Sequence, residues 1–204
     1  MLALFTALAL AAPNPPAPAD LDGDGKKESF TVQDTAVVVG KHRVEVGEYF
    51  DAAVLDLKQG DGKQEVVLCE HGPRDDKYCR VYTWSKSSGF TRVLLDGKDD
   101  NFVSELLANG SGIVRSTQWA WRLYTRVDKW LYRDGALVRV RQPMYGADVP
   151  FHADRTFQLL YAPGSSEVVA NTRADSDVTL LAEHGENEGW FLVEEPGIYY
   201  GQCS

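Results

Sequence analysis

Residues 20–28 read DLDGDGKKE, placing Asp20, Asp22, Asp24 and Glu28 within nine positions, with glycines at 23 and 25. A hard cation such as Ca²⁺ takes about six to eight oxygen ligands, and carboxylates on alternate residues can curl around one point. Gly25, sixth from Asp20, permits the sharp bend, and Lys26 needs to offer only its backbone carbonyl. The spacing therefore predicts a cation loop built from Asp20, Asp22, Asp24, Lys26 and Glu28. The EF-hand pattern does not apply. Its twelfth position would be Thr31, not a bidentate glutamate, and ESFTVQ alternates like a strand where a helix should follow.

A second segment, AVLDLKQGDGKQEVVL over 53–68, repeats the frame of loop followed by strand. Asp61, Gly62, Lys63 and Glu65 match Asp24, Gly25, Lys26 and Glu28. Upstream of them an extra residue is present, and Leu57 and Gln59 fall on the first and third positions. This copy reads as a turn kept without its metal. Over about residues 20–95 the pattern resembles the calcium loops of FG-GAP/VCBS-type repeats, in which such a loop joins two strands of a propeller-like sheet. The resemblance implies structural Ca²⁺ in the first loop, and an open or partial propeller, since two repeats cannot close a ring.

Near the C-terminus, GWFLVEE and PGIYYGQC end a run of short strands. Residues 158–203 resemble a bacterial SH3-like (SH3b) module, with Gly189–Val193 and Gly197–Gly201 matching its last strands, although Gln202 follows where that family often has tryptophan. The resemblance implies binding of peptide or cell-wall material. Trp190, Tyr199 and Tyr200 could form an aromatic surface for such a ligand, and the plainer role for Trp190 is to fill the core of a small barrel. Neighbours on a strand face opposite sides, so one of Tyr199 and Tyr200 points outward.

Cys69 and Cys79 bracket EHGPRDDKY, a Gly-Pro turn between apolar runs. A disulfide across that hairpin would contribute roughly 2–3 kcal/mol. Cys203 is left over, free or available to pair between chains. His71 beside Cys69 and Asp75 could be drawn as a nucleophile cluster, but the disulfide consumes its thiol. No other segment carries a catalytic signature, and no residue is assigned a catalytic role. Trp119, Trp121 and Leu123 share one strand face, a carbohydrate platform or, more plainly, packing. Arg122, Arg126, Lys129, Arg133, Arg139 and Arg141 could form an anion-binding face or, more plainly, a solvated basic face.

The elements that hold these residues are strands. Segments such as QEVVLC, CRVYTW and ALVRVRQ alternate or are rich in β-branched and aromatic residues, and SKSSGF, NGSG and YRDGAL supply hairpin turns. One segment, NFVSELLANG, reads as a short helix capped at Asp100 or Asn101 and stopped by Gly110. The fold class is all-β: an antiparallel meander or partial propeller over 20–150, then an SH3-like barrel over 158–204, with a boundary near 150–158.

Residues 1–12, MLALFTALALAA, are apolar, too short to span a bilayer and suited to a signal peptide; 13–19 form a Pro-rich linker. Export, secreted or periplasmic, follows, with no membrane insertion of the mature chain. The net charge of −9 makes nucleic acid a poor partner. These readings imply an exported, non-catalytic, calcium-stabilised binding protein of the bacterial envelope that recognises cell-wall glycan or peptide, or a protein. An accessory hydrolase or inhibitor without a motif-like site competes with it, as does a structural subunit assembled through Cys203.

Overall fold

The computed structural model describes residues 15–72, 77–98, 102–120, 124–195 and 198–203, with the side chains of 118–120 and 198–203 left aside. The expected leader at 1–12 lies outside these residues, as do Asp75, Trp121, Arg122 and Leu123. Among the described residues the chain forms eighteen strands and no helix.

The first sheet is a meander of β1 (Phe30–Gln33), β2 (Ala36–Val39) and β3 (His42–Glu45). The second joins β4 (Phe50–Leu55), β5 (Glu65–His71), β6 (Lys77–Ser85) and β7 (Gly89–Arg92) in chain order, all antiparallel. In the third, β8 (Leu94–Leu95) lies parallel to β12 (Ala136–Val140). β11 (Tyr124–Arg133), β10 (Ile113–Ala120) and β9 (Glu105–Ala108) follow in antiparallel order. The fourth contains β13 (Met144–Ala153), β14 (Gln158–Leu160), β15 (Val168–Asn171), β16 (Ser176–His184), β17 (Phe191–Glu195) and β18 (Ile198–Cys203). Its order is β13-β16-β17-β18-β14-β15. The boundary expected at 150–158 falls within β13 and the turn after it.

The second sheet is buried on both faces, which is why β5 begins with the unbroken buried run Glu65–Leu68 instead of alternating. Val66 and Leu68 pack with Phe50 and Trp84 against Val37 and Val39 of the first sheet. Val67 and Val81 point the other way, against Val114, Trp130 and Leu137 of the third. Cys69 and Cys79 sit opposite each other on β5 and β6 and are bonded, as expected from the hairpin. The fourth sheet has its own core of Leu159, Val178 and Val193.

Two expectations are overturned here. The segment read as a helix contributes strand β9, whose Leu106 and Ala108 pack into the core while Glu105 and Leu107 face out. Of the expected solvated basic face, Arg133 and Arg141 are exposed, whereas Arg126 and Arg139 are mostly drawn out of solvent. They flank Asp128, which is 0% exposed, with Arg126 Nε and Arg139 Nη2 each 3.4 Å from its carboxylate. Burial raises the Asp128 carboxyl above the usual range, opposed by the two guanidinium groups. Arg126 also reaches Glu183 at 3.4 Å, fastening the third sheet to the fourth.

Candidate metal centre

Backbone bonds between Ala19 and Glu28 close the first loop: Ala19 N–H donates to the Glu28 carbonyl (3.1 Å), and Glu28 N–H donates to that of Ala19 (2.8 Å). Inside it the carboxylates accept from the loop's own amides. Asp20 takes the N–H groups of Gly23 and Gly25, one on each oxygen, both at 2.8 Å. Asp22 takes that of Asp24 (3.3 Å), and Asp24 that of Lys26 (2.8 Å). Glu28 Oε2 accepts from Leu21 N–H (3.0 Å), and the Leu21 side chain is sunk in the core, 1% exposed. Gly23 has φ +79°, and a Cβ there would lie 3.3 Å from the Gly62 carbonyl oxygen of the second loop. Glycine is thus required both by conformation and by that close approach.

One oxygen each of Asp20, Asp22 and Glu28 lies within 4.8 Å of the others. Asp24 is not part of this trio. It bonds instead to the ammonium of Lys86, from the turn between β6 and β7, which also lies 3.5 Å from Asp22 Oδ2 and 3.7 Å from Glu28 Oε1. Lys86 therefore holds the Asp24 carboxyl below the usual range, helped by the Lys26 amide, and Asp24 holds the Lys86 ammonium above its own. Carboxylate oxygens are the donors a hard divalent cation takes, and three of them converge here, with the Lys86 ammonium beside Asp22 and Glu28. The expected set is thus brought together as Asp20, Asp22 and Glu28. Asp24 is linked to them through Lys86, and Lys26 contributes its N–H to Asp24.

The second loop repeats two of the carboxylate–amide bonds of the first. Leu57 N–H donates to Glu65 Oε2 (3.0 Å), and Lys63 N–H to Asp61 Oδ1 (3.0 Å). Gly60 and Gly62 take φ +91° and +77°, as Gly23 and Gly25 take +79° and +82°. Asp56, not Leu57, therefore stands in the position of Asp20, and the extra residue lies between Leu57 and Gly60. Glu65 is 1% exposed; burial pushes its carboxyl up, against the hydrogen bonds from the Leu57 amide and the Tyr132 hydroxyl. It acts as a core acceptor.

The NGSG hairpin turn, which joins β9 to β10 as expected, is also a third loop of the same frame. Asn109 Oδ1 accepts from Ser111 N–H (3.2 Å), and Gly110 and Gly112 have φ +77° and +79°. Gln59 N–H donates to the Gly110 carbonyl (2.7 Å), and Gly112 N–H to that of Leu57 (2.8 Å), so the second and third loops are stitched edge to edge. The signal was the glycine pair of NGSG leading straight into IVRS, the frame already seen twice.

The other expected binding residues are placed by backbone register. Trp190 precedes β17 and is partly buried, its N–H bonded to the Asn187 carbonyl. Register places it beside the Cys203 end of β18, with Tyr199 and Tyr200 near the opposite end. The side chains of Tyr199, Tyr200 and Cys203, like that of Trp119 on β10, lie outside those described. His71 pairs with Asp51 (2.9 Å). No family model matches the chain, and no curated protein or solved structure is significantly similar to it.

Proposed function

We propose that the protein is an exported, calcium-stabilised binding protein of the bacterial envelope that presents its sheets to cell-wall material or to a protein partner. The observation carrying this reading is the stacked row of three loops, each followed by a strand, with carboxylates converging in the first. That frame resembles the FG-GAP/VCBS calcium repeat at three places along the chain. Asp20, Asp22 and Glu28 would hold the ion, and Asp24 would join them once Lys86 withdraws. The ion would supply positive charge that keeps the loop carboxylates together, fastening the N-terminal segment to the first two sheets. Its role is structural. The fourth sheet, with its SH3b resemblance, and the uncovered face of the third are the surfaces left for recognition.

Co-sedimentation with purified peptidoglycan sacculi, with calcium and with chelator, tests the recognition. Retention in the pellet that weakens in chelator is expected. A protein that stays in the supernatant in both conditions, and in a parallel assay with envelope protein extract, contradicts the binding role.

A further inference from the structure

The outward face of the third sheet is built like a packing surface. The first sheet covers one face of the second, and the third covers the other. Among the described residues no further sheet covers the outer face of the third. Cross-strand register puts Leu107, Arg115 and Lys129 in one row over β9, β10 and β11. Ile113 shares the same face, in line with Val138 of β12 through Leu131, and Val127 lies two residues from Lys129. Leu107 is 68% exposed, Val138 47%, Val127 39% and Ile113 38%. A solvated sheet face carries polar residues at these positions, whereas this one is aliphatic around two cations. Gln142, just before β13, and Gly146, within it, wall one side and complete a groove of about 780 Å³.

We infer that this groove docks a polypeptide segment of another protein that presents alternating aliphatic and acidic side chains. The proposal rests on the binding role given above and names the kind of partner. Charge decides the chemistry. The groove lining contains Arg115 and Lys129 and no carboxylate, in a chain with 30 acidic residues against 21 basic ones. Glu105, on the same face, stands at the far end of β9 outside the lining. Among the described side chains the outward apolar lining is aliphatic, from Leu107, Ile113 and Val127, so it packs against side-chain methyl and methylene groups. A second copy of the chain is disfavoured, because a two-fold contact would set the Arg115–Lys129 row against itself.

The test uses the full chain and fluorescence anisotropy with a labelled synthetic peptide alternating leucine and glutamate. A leucine–lysine peptide and polygalacturonate serve as the other probes. Saturable binding of the acidic peptide is expected, weakened at least about tenfold by Arg115→Glu with Lys129→Glu. Leu107→Ser with Ile113→Ser should weaken it similarly, with circular dichroism unchanged for both exposed pairs. Equal binding of both peptides, binding of polygalacturonate alone, no saturation at about millimolar peptide, or a dimer dispersed by the charge reversal would each overturn the inference. Sedimentation with sacculi is read independently, so loss of this docking site leaves the wider binding role standing, and loss of sedimentation alone leaves this site standing.

Discussion

Leu21 ties the first loop to the core, and removing its side chain measures that tie. It is 1% exposed, packed among Phe30, Val37, Val39, Phe50, Val66, Leu68 and Trp84, and its amide holds Glu28. Leu21→Ala removes three buried carbons at about 0.8 kcal/mol each, ~2.4 kcal/mol in all. The cavity left behind adds to this, because the strands on either side are pinned by their ladders, giving a loss of roughly 3–4 kcal/mol. For a chain of this size that lowers Tm by roughly 6–15 °C. Leu107→Ala is the control: at 68% exposure it should move Tm by less than about 2 °C. Scanning calorimetry of both variants in chelator separates packing from any effect of the ion. A Leu21→Ala transition no lower than the control would mean that the loop is not seated between the first two sheets, and the repeat architecture argued from it would fall.

Three further outcomes follow. Lys86→Met should tighten calcium binding in a calorimetric titration, because the ammonium and the ion compete for Asp22, Asp24 and Glu28; unchanged affinity would show that Lys86 does not reach them. Burial raises the folded pKa of Glu65 above its unfolded value, so its contribution to stability is full below the unfolded pKa and is lost as pH rises through the folded one. The Tm of Glu65→Gln should therefore gain on that of the parent as pH rises above the ordinary glutamate range, and a constant difference would refute the burial argument. Asp177, with Asp175, holds the exposed His152 above the usual histidine range. NMR should find its ring titrating high, and Asp177→Asn with Asp175→Asn should return it to normal.

The all-β class was legible because alternation and turn chemistry agree along most of the chain, and the Cys69–Cys79 pair followed from the hairpin between them. The first loop was legible because its carboxylates and glycines are adjacent in sequence. What stayed hidden depended on contacts between distant segments. NFVSELLANG has helix-forming residues, yet β9 gains more by sending Leu106 and Ala108 into the core at strand period. Arg126 and Arg139 looked solvated because Asp128, which draws them in, lies on the same strand as one and across the ladder from the other. Asp56 is hidden in the sequence because one inserted residue breaks the spacing, and only the repeated Leu57-to-Glu65 hydrogen bond restores it. The third loop keeps the glycines but has Asn109 and Ser111 where the first has carboxylates, so the chemistry that flagged the first was gone.

The most direct test is the melting of residues 13–204 in calcium and in chelator, for the parent and for Asp22→Ala with Asp24→Ala. With a dissociation constant in the extracellular class of about 10⁻⁴–10⁻³ M, ~10 mM calcium should stabilise the parent by roughly 1.4–2.7 kcal/mol. That corresponds to about 3–10 °C, and the double variant should show none of it. Identical melting of the parent in both conditions, or a shift that survives the double variant, would contradict a cation held by the first loop.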